Sequence, residues 1–441
     1  MNRDLTKGNV TKSILLFAGP MIVGNLLQQL YNVADTFIVG KYIGPEALAA
    51  VGSSFTLMTF LTSIVLGLCM GSGVVFSMLF GAGKIEKLKS SFLMSFLFIG
   101  MITVILTISV IIFTTPLLKL LQIPNEILAE TKSYITVIFY GIIFTFFYNY
   151  FASLLRSIGN SFIPLVFLAI SALLNIILDL VFIITFDMGV AGAAWATIIA
   201  QGVSAICVTL YSYMKLEVIR LKRSDLHLDF LVLREISQYS ILTCVQQSIM
   251  NFGILMIQGL VNSFGVAVMA AFSAAVKIDA FAYMPVQDFG NAFSTFIAQN
   301  HGAEKKERIQ KGVRSAIKVT LLFCILVSIG VSLFARPLMS IFVKLEEVEI
   351  INIGVTYLRI ESAFYCGIGF LFLLYGFYRG IGKPGISVIL TVVSLGTRVI
   401  LAYLLATIPS IGLIGIWWAI PIGWILADLI GFLYYRRYRR L

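Results

Sequence analysis

The sequence predicts an all-α integral membrane protein with twelve transmembrane helices, which form two parallel six-helix repeats. Three observations predict this fold: the composition, the spacing of the long apolar segments, and the similarity between the two halves of the chain. Of the 441 residues, 59% are hydrophobic and only 12% are charged, and the mean hydropathy is +0.98. A soluble protein carries roughly twice that share of charge. The composition therefore excludes a soluble enzyme, a secreted disulfide scaffold and a disordered chain.

Each membrane-spanning helix needs about 20 mostly apolar residues. Segments of this kind occur along the whole chain, and the five cysteines all lie inside apolar segments without a pairing pattern. We interpret the cysteines as packing residues and not as a disulfide or metal framework. The twelve predicted spans are residues 14–40, 51–79, 90–113, 134–156, 163–187, 190–214, 237–262, 274–300, 313–335, 353–379, 384–407 and 412–436.

Lysine and arginine are distributed unevenly between the two sides of these spans. Of the 32 Lys and Arg residues, 23 lie at the two termini and in the loops on the same side, whereas five lie in the opposite loops and four within spans. Because Lys and Arg accumulate in cytoplasmic loops, we expect both termini in the cytoplasm. The closing basic run 436–440 is then expected to face anionic lipid, and no nucleic-acid partner is expected.

The two halves of the chain match each other. A shift of 221 aligns Gly81-Ala82 with Gly302-Ala303, and a shift of 223 aligns Trp195-Ala196 with Trp418-Ala419. Since six is an even number, both halves begin on the same side of the membrane, and the repeats are parallel, as in some transporter folds.

The repeat sets the predicted domain boundaries. We expect an N-lobe at 1–214, a cytoplasmic linker at 215–236 and a C-lobe at 237–441. Rocking of the two lobes about a shared cleft is the mechanical consequence of this organisation. An old duplication without functional symmetry is the alternative.

Polar residues inside the spans of the first half define a candidate site. An ionisable side chain within a span is costly, and it is a functional candidate by default. Tyr31 and Asp35 in the first span are four residues apart, as are Asn175 and Asp179 in the fifth, so each pair shares a helix face. The expected orientation puts Asp35, Asp179 and Thr197 roughly 7–12 Å below the outer surface. We predict that these five side chains meet.

This set of side chains suits two different cations. Carboxylate, carbonyl and hydroxyl oxygens are ligands of hard cations, so Asp35, Asn175, Asp179 and Thr197 are a possible Na+ site. Two neighbouring carboxylates also repel each other, and a bound proton removes that repulsion. The coupling ion is therefore open between H+ and Na+. A hydrogen-bonded contact between helices, without any ion, is the remaining alternative.

The second half has diverged at this site. Its equivalents of Asn175 and Asp179 are Arg398 and Ala402. Acids and bases are mixed in its spans, which favours structural ion pairs over a second coupling site. The residues of this possible C-lobe polar network are Lys277, Asp279, Asp288, Glu361 and Arg398.

Pro20 is a candidate hinge in the first span. A proline inside a helix removes a backbone hydrogen bond and permits a kink. Because Pro20 and Asp35 lie on the same predicted helix, bending at the proline is one way to couple the acid to helix position. A passive kink is the alternative.

The sequence lacks the motifs of an enzyme or an ATP-driven pump. Gly81-Ala82-Gly83-Lys84 is followed by Ile85, so a phosphate-binding loop is not complete. The only histidines, His227 and His301, map to predicted cytoplasmic loops. We therefore expect no enzyme activity and no cofactor other than a coupling ion.

The first span and two later motifs resemble the multidrug and toxic compound extrusion (MATE) family. The matching residues are Pro20…Gln28-Gln29-x-Tyr31-Asn32-x-x-Asp35-Thr36, the turn at Arg156–Asn160, and Asn175-x-x-x-Asp179. The resemblance covers essentially the whole chain and implies a multidrug efflux antiporter with two lobes around a central cleft. It also implies that the five polar residues of the first half form the N-lobe cation site. One branch of the family uses acids in spans 7 and 10, but span 7 here carries Gln246 and Gln247, so this chain looks like the N-lobe branch.

The resemblance further implies amphipathic, often cationic, organic substrates and a multi-pass protein of the bacterial cytoplasmic (inner) membrane. We expect a monomer in the lipid bilayer. A flippase for lipid-linked oligosaccharide, with related architecture, is the alternative function. A flippase needs a cationic cleft for pyrophosphate, for which Arg398 and Lys277 are the candidates.

Overall fold

The computed structural model describes residues 4–120, 123, 125–220 and 229–440. Within these ranges the regular structure is helical, without a β-strand. A short π-helix, Val181–Thr185, follows the seventh α-helix, and a 3-10 turn, Glu217–Ile219, follows the eighth. The α-helices are α1 Val10–Tyr42, α2 Pro45–Gly81, α3 Ile85–Ile112, α4 Thr114–Leu120, α5 Leu128–Tyr140, α6 Ile142–Ser157, α7 Phe162–Leu180, α8 Gly189–Lys215, α9 Phe230–Asn262, α10 Val266–Gly302, α11 Lys306–Met339, α12 Val348–Ala363, α13 Tyr365–Gly380, α14 Pro384–Ala406 and α15 Gly412–Arg440.

The predicted twelve-span fold is confirmed, with two spans bent. Among the described residues, ten helices are individually long and apolar enough to cross a membrane. Two further spans consist of the pairs α5–α6 and α12–α13, which bend by 41° and 52°. The bends fall at Gly141 and Phe364, which are equivalent positions of the repeat. The apolar pattern of the sequence did not predict either bend.

Several helices extend beyond the apolar segments that predicted them. α10 begins at Val266 and α11 at Lys306, about two turns before the predicted spans. Hydropathy marks only the part of a helix that lies in the hydrocarbon layer, so it does not detect the polar ends of the helix. The short helix α4 was not predicted at all.

The backbone repeats the duplication that the sequence displays. Positive φ angles occur at Gly44 and Gly265, at Gly159 and Gly382, and at Gly189 and Gly412, each pair equivalent in the two halves. Glycine tolerates these angles because it has no Cβ. A fourth pair combines Gly83 (φ 69°) with Glu304 (φ 56°), so the turn is retained although its glycine is not.

The described chain divides into two compact units, and two of the three divisions fall inside helices. Unit 1 contains Met1–Asp4 and Gly19–Cys244, and unit 2 contains Leu5–Ala18 and Val245–Leu441. Each unit therefore holds the first part of a helix whose remainder belongs to the other unit, namely α9 in unit 1 and α1 in unit 2. The expected linker at 215–236 contains no such division, and its residues 221–228 lie outside the described ranges.

Aromatic packing dominates the core of unit 1 away from the candidate site. Phe92, Phe96, Phe146 and Tyr150 have ring centroids 5.4–5.5 Å apart in several pairs. The Tyr150 hydroxyl donates to the Phe92 carbonyl at 2.6 Å, so its polar atom is satisfied within the apolar core. These contacts fix α3 against α6.

Candidate cation site

A small apolar cluster holds together the helices that carry the polar residues of the first half. It joins α1, α2, α5, α8 and the π-helix. Val39 lies one turn beyond Asp35, and Ile183 lies one turn beyond Asp179, so the cluster is adjacent to both acids. Its members are Ile38, Val39, Ala47, Val51, Tyr134, Ile138, Ile183, Val190, Ala193 and Ala194.

Asp35 and Asp179 face each other. Asp35 on α1 is 9% exposed and Asp179 on α7 is 0% exposed, and their carboxyl groups interact directly. Two carboxyl groups can hydrogen-bond each other only when one of them carries a proton. If both are ionised, they repel strongly in surroundings of low polarity. The pair therefore requires a proton or another cation.

Asn175 and Thr197 lie beside the acid pair. Asn175 is one turn before Asp179 on α7, and Thr197 is on α8. The Asn175 amide nitrogen donates to the Thr197 hydroxyl at 3.3 Å, and that hydroxyl donates to the Ala193 carbonyl at 3.0 Å. These bonds direct the amide carbonyl of Asn175 away from Thr197. They also leave the Thr197 oxygen with a lone pair that can accept.

Four oxygens of this group have no hydrogen-bond donor within the described residues. They are Asp35 Oδ1, Asn175 Oδ1 and both carboxylate oxygens of Asp179. A buried acceptor without a partner is costly, and native proteins rarely tolerate it. Several such acceptors together fit a small cation or protons, which supply the missing positive charge. Both Na+ and H+ agree with this oxygen set.

Two tyrosines complete the polar surroundings. Tyr31 on α1 hydrogen-bonds Gln28 and interacts electrostatically with both Asp35 and Asp179. Tyr134 on α5 is buried and interacts with the same two acids. The sequence analysis missed Tyr134, because an ordinary tyrosine at the start of an apolar span carries no signal. Only the packing of α5 against α8 brings it to the site.

The helix that carries Asn175 and Asp179 changes its geometry immediately after the second acid. α7 ends at Leu180, and the π-helix Val181–Thr185 follows. Single turns of π-helix often occur at functional sites. Among the described residues, no group of three or more His, Cys, Asp or Glu side chains forms a metal cluster. The site therefore combines only two acids with neutral oxygens, which suits an ion of low charge.

Three members of the second-half network come together in unit 2. Asp279 on α10 accepts hydrogen bonds from the hydroxyls of Tyr357, at 2.8 Å, and Tyr365. Glu361 on α12 is buried, and its Oε1 has no partner in the described chain. Arg398 on α14 interacts electrostatically with both acids. No salt bridge joins Arg398 to either acid in the described ranges, so the expected structural ion pairs are not formed.

Lys277 and Asp288 occupy other positions along α10. Lys277 is exposed and lies over the Phe342 ring, 6.0 Å from its centroid. It precedes Asp279 by two residues, a spacing that puts the two side chains on different faces of α10. Asp288 follows Asp279 by nine residues, or about 13 Å along the helix. The five-residue network therefore stays a prediction for these two members.

Pro20 lies within a continuous helix. α1 runs from Val10 to Tyr42 through the proline. Apart from the helix itself, nothing lies within 4 Å of the position that a Cβ on Gly19 would occupy. The hinge at Pro20 stays a prediction.

A profile of the family described as MatE matches this chain at residues 20–181 and 242–404, one match in each half. The two matches together cover well over half of the chain. The chain belongs to the MatE family. The first match contains Pro20, Asp35, Asn175 and Asp179, and it ends just beyond the second acid.

Other proteins are similar to this MatE-family chain in sequence and in fold. It is 28% identical to "Probable multidrug resistance protein YpnP" of Bacillus subtilis, over 98% of this chain and 96% of the relative. It is 27% identical to "Multidrug export protein MepA" of Staphylococcus saprophyticus, over 95% and 91% of the two chains. A solved structure described as the "Outward-facing conformation of a multidrug resistance MATE family transporter of the MOP superfamily" superposes with a TM-score of 0.92 at 25% identity, covering 98% of this chain and 97% of that one.

These similarities establish a multi-pass protein of the bacterial inner membrane and a membrane transporter family. The family resemblance stated from the sequence is thereby confirmed. The comparisons leave the roles of the individual site residues untested.

Proposed function

We propose that this MatE-family chain is a secondary active multidrug exporter, which exchanges amphipathic, often cationic, organic compounds for H+ or Na+. One observation carries the proposal: the buried Asp35–Asp179 pair has several acceptor oxygens without donors. The names of the relatives support the substrate class, since they describe multidrug resistance and multidrug export. Monomeric function and cytoplasmic termini are parts of the same proposal.

The proposed coupling acts through charge. A cation or proton that enters the site neutralises Asp35 or Asp179 and removes their mutual repulsion. α1 and α7 then repack, with Pro20 as the proposed hinge of α1. A ligand shifts a conformational equilibrium only through its different affinities for the two states. Drug and cation must therefore weaken each other's binding by the same factor. Rocking of the two lobes is the proposed movement that follows.

Liposomes that contain the purified chain provide the test. We expect ethidium to move against its gradient when a Na+ or pH gradient is imposed, and to stop moving in Asp35→Asn. Asp187→Asn is the matched control, because Asp187 is an exposed aspartate close to the same end of α7. Equal transport with and without both ion gradients would contradict the proposal.

The flippase alternative has less support. A site for pyrophosphate needs uncompensated positive charge. Arg398 lies beside Asp279 and Glu361, and Lys277 is exposed on another face of α10. These two cations therefore do not form a shared anion site within unit 2.

A further inference from the structure

The peptide that precedes α1 is bound by polar side chains of unit 2. Leu5 is fully buried, although it lies close to the beginning of the chain. Its backbone N–H donates to Gln299 Oε1 at 3.1 Å, and Asn300 Nδ2 donates to its carbonyl at 3.2 Å. Gln299 and Asn300, near the end of α10, are themselves fully buried. The side chains that bind the peptide are therefore part of the folded interior of unit 2.

Arg308, in the first turn of α11, binds three carbonyls of this peptide. Its Nε and Nη2 donate to the Leu5 carbonyl at 3.1 and 3.0 Å. Nη2 also donates to the Lys7 carbonyl at 2.6 Å, and Nη1 donates to the Gly8 carbonyl at 2.7 Å. The guanidinium lies over the Phe296 ring, 5.6 Å from its centroid. Charge-assisted bonds of this kind are among the strong hydrogen bonds of proteins.

The remaining contacts complete the clasp, by which we mean residues 5–8 together with the side chains that bind them. Lys305 Nζ donates to the Thr6 carbonyl at 2.8 Å, so all four consecutive carbonyls of the peptide have donors. Gly8 has a φ of 72°, which turns the chain into α1. The hydroxyls of Thr11 and Ser315 hydrogen-bond at 2.7 Å and join the first turn of α1 to the third turn of α11.

The clasp fixes the beginning of the helix that carries the cation site. α1 starts directly after the peptide, and its residues up to Ala18 belong to unit 2. From Gly19 onward the same helix belongs to unit 1, where it carries Tyr31 and Asp35. A movement of unit 2 therefore reaches the acid along a continuous helix, and Gly19-Pro20 lies where the helix passes from one unit to the other.

The position equivalent to Arg308 in the other half also carries a basic residue that contacts the first part of a helix. Lys87 on α3 is equivalent to Arg308 at a shift of 221, and it forms a salt bridge of 3.0 Å with Glu235 at the beginning of α9. The part of α9 up to Cys244 belongs to unit 1. Each unit thus holds the beginning of the helix that starts the other half.

We propose that residues 5–8 are a permanent strap, which the site formed by Gln299, Asn300, Lys305 and Arg308 holds on unit 2 throughout transport. The strap transmits the movement of unit 2 to α1, and α1 bends at Gly19-Pro20 while the clasp stays closed. This inference rests on the proposed ion-coupled export. The strap is separate from the cation ligands. Loss of the strap should therefore lower ion-driven transport without removing the cation site.

The first test removes the main donor of the clasp. We expect Arg308→Ala to lower gradient-driven ethidium transport about tenfold, the size of a typical coupling defect, and to change cation affinity less than about twofold. Arg314→Ala, an exposed position on the same helix with the same change of charge, should transport like the wild type. Wild-type transport by Arg308→Ala, or loss of its cation affinity, would overturn the proposal.

The second test links the first turn of α1, directly after the clasp, covalently to α11, and it does not depend on how well Arg308→Ala folds. The hydroxyls of Thr11 and Ser315 are close enough that Thr11→Cys with Ser315→Cys should form a disulfide. We expect the oxidised double variant to transport at the rate of its reduced form, with oxidised wild type as the control. Transport that stops on oxidation and returns on reduction would mean that the clasp opens, which overturns the strap. A different experiment tests the ion-coupling proposal itself: unchanged export by Asp35→Asn would contradict that proposal and not the strap.

Discussion

Asp35 and Asp179 lie on α1 and α7, and their buried carboxyl groups face each other with no basic side chain between them. Within the described residues, the salt bridges join other side chains and leave both acids without a basic partner. This arrangement differs from the acid cluster of unit 2, where Arg398 lies near Asp279 and Glu361. The pair in unit 1 has no such neighbouring arginine among the described interactions of the two acids.

Replacing one acid should stop transport without unfolding the chain. Asn has nearly the shape of Asp but no charge, so Asp35→Asn and Asp179→Asn each remove the repulsion that a cation would relieve. We expect ethidium efflux to fall to the background of cells that lack the transporter, with normal amounts of protein in the membrane. Efflux near the wild-type rate in Asp35→Asn would remove this residue from the mechanism.

The Thr197 hydroxyl separates Na+ coupling from H+ coupling. Thr197→Val keeps the shape and removes the oxygen that accepts from Asn175. If Na+ is the coupling ion, we expect its affinity to fall about tenfold, the equivalent of about 1.4 kcal/mol. If H+ is the coupling ion, proton-driven transport should change less than about threefold, because the acids remain. The measurement is ethidium transport at a series of imposed Na+ and pH gradients.

The fold could be predicted from the sequence more completely than the site. Apolar segments mark helices wherever lipid contacts the chain, and they predicted the spans and the repeat. The sequence did not predict the bends at Gly141 and Phe364, because hydropathy does not report the direction of a helix. The sequence also did not predict that Leu5–Ala18 belongs to unit 2. That placement depends on hydrogen bonds to backbone carbonyls, which every sequence has.

The five polar residues of the first half could be found because an uncompensated acid in a span is rare. Their helix spacing and depth were enough to predict that they meet. Tyr134 needed the tertiary structure, because its role depends on how α5 packs. The spacing of two residues between Lys277 and Asp279 already predicts that the two side chains lie on different helix faces.

A close helix contact within unit 1 should be sensitive to a single methyl group. A Cβ on Gly71 of α2 would lie 2.5 Å from the Ser240 Cα on α9, whereas a Cβ on Gly52 of the same helix meets nothing within 4 Å. We expect Gly71→Ala to lower the free energy of unfolding by about 1–3 kcal/mol through overpacking. Gly52→Ala should be neutral or raise it by up to about 1 kcal/mol, because alanine favours helix.

Thermal unfolding in detergent, compared among wild type, Gly71→Ala and Gly52→Ala, measures this difference. Equal melting temperatures for the two variants would show that α9 does not pack on Gly71 as closely as described.

The turn between α10 and α11 should gain stability from glycine. Glu304 has a φ of 56°, and its equivalent in the first half is Gly83. A left-handed conformation costs a residue with a Cβ roughly 1–2 kcal/mol. Glu304→Gly should therefore raise the melting temperature, and Gly83→Ala should lower it. A lower melting temperature for Glu304→Gly would contradict the assigned turn geometry.

The central claim is that drug and cation oppose each other through the Asp35–Asp179 pair. The most direct measurement is the Kd of a fluorescent organic cation for the solubilised chain at several Na+ concentrations and pH values, in wild type and in Asp179→Asn. We predict that the wild-type Kd rises with the coupling ion by about 5–150-fold, the usual range of coupling between sites, and that Asp179→Asn is insensitive to it. A wild-type Kd that changes with neither Na+ nor pH would contradict the account.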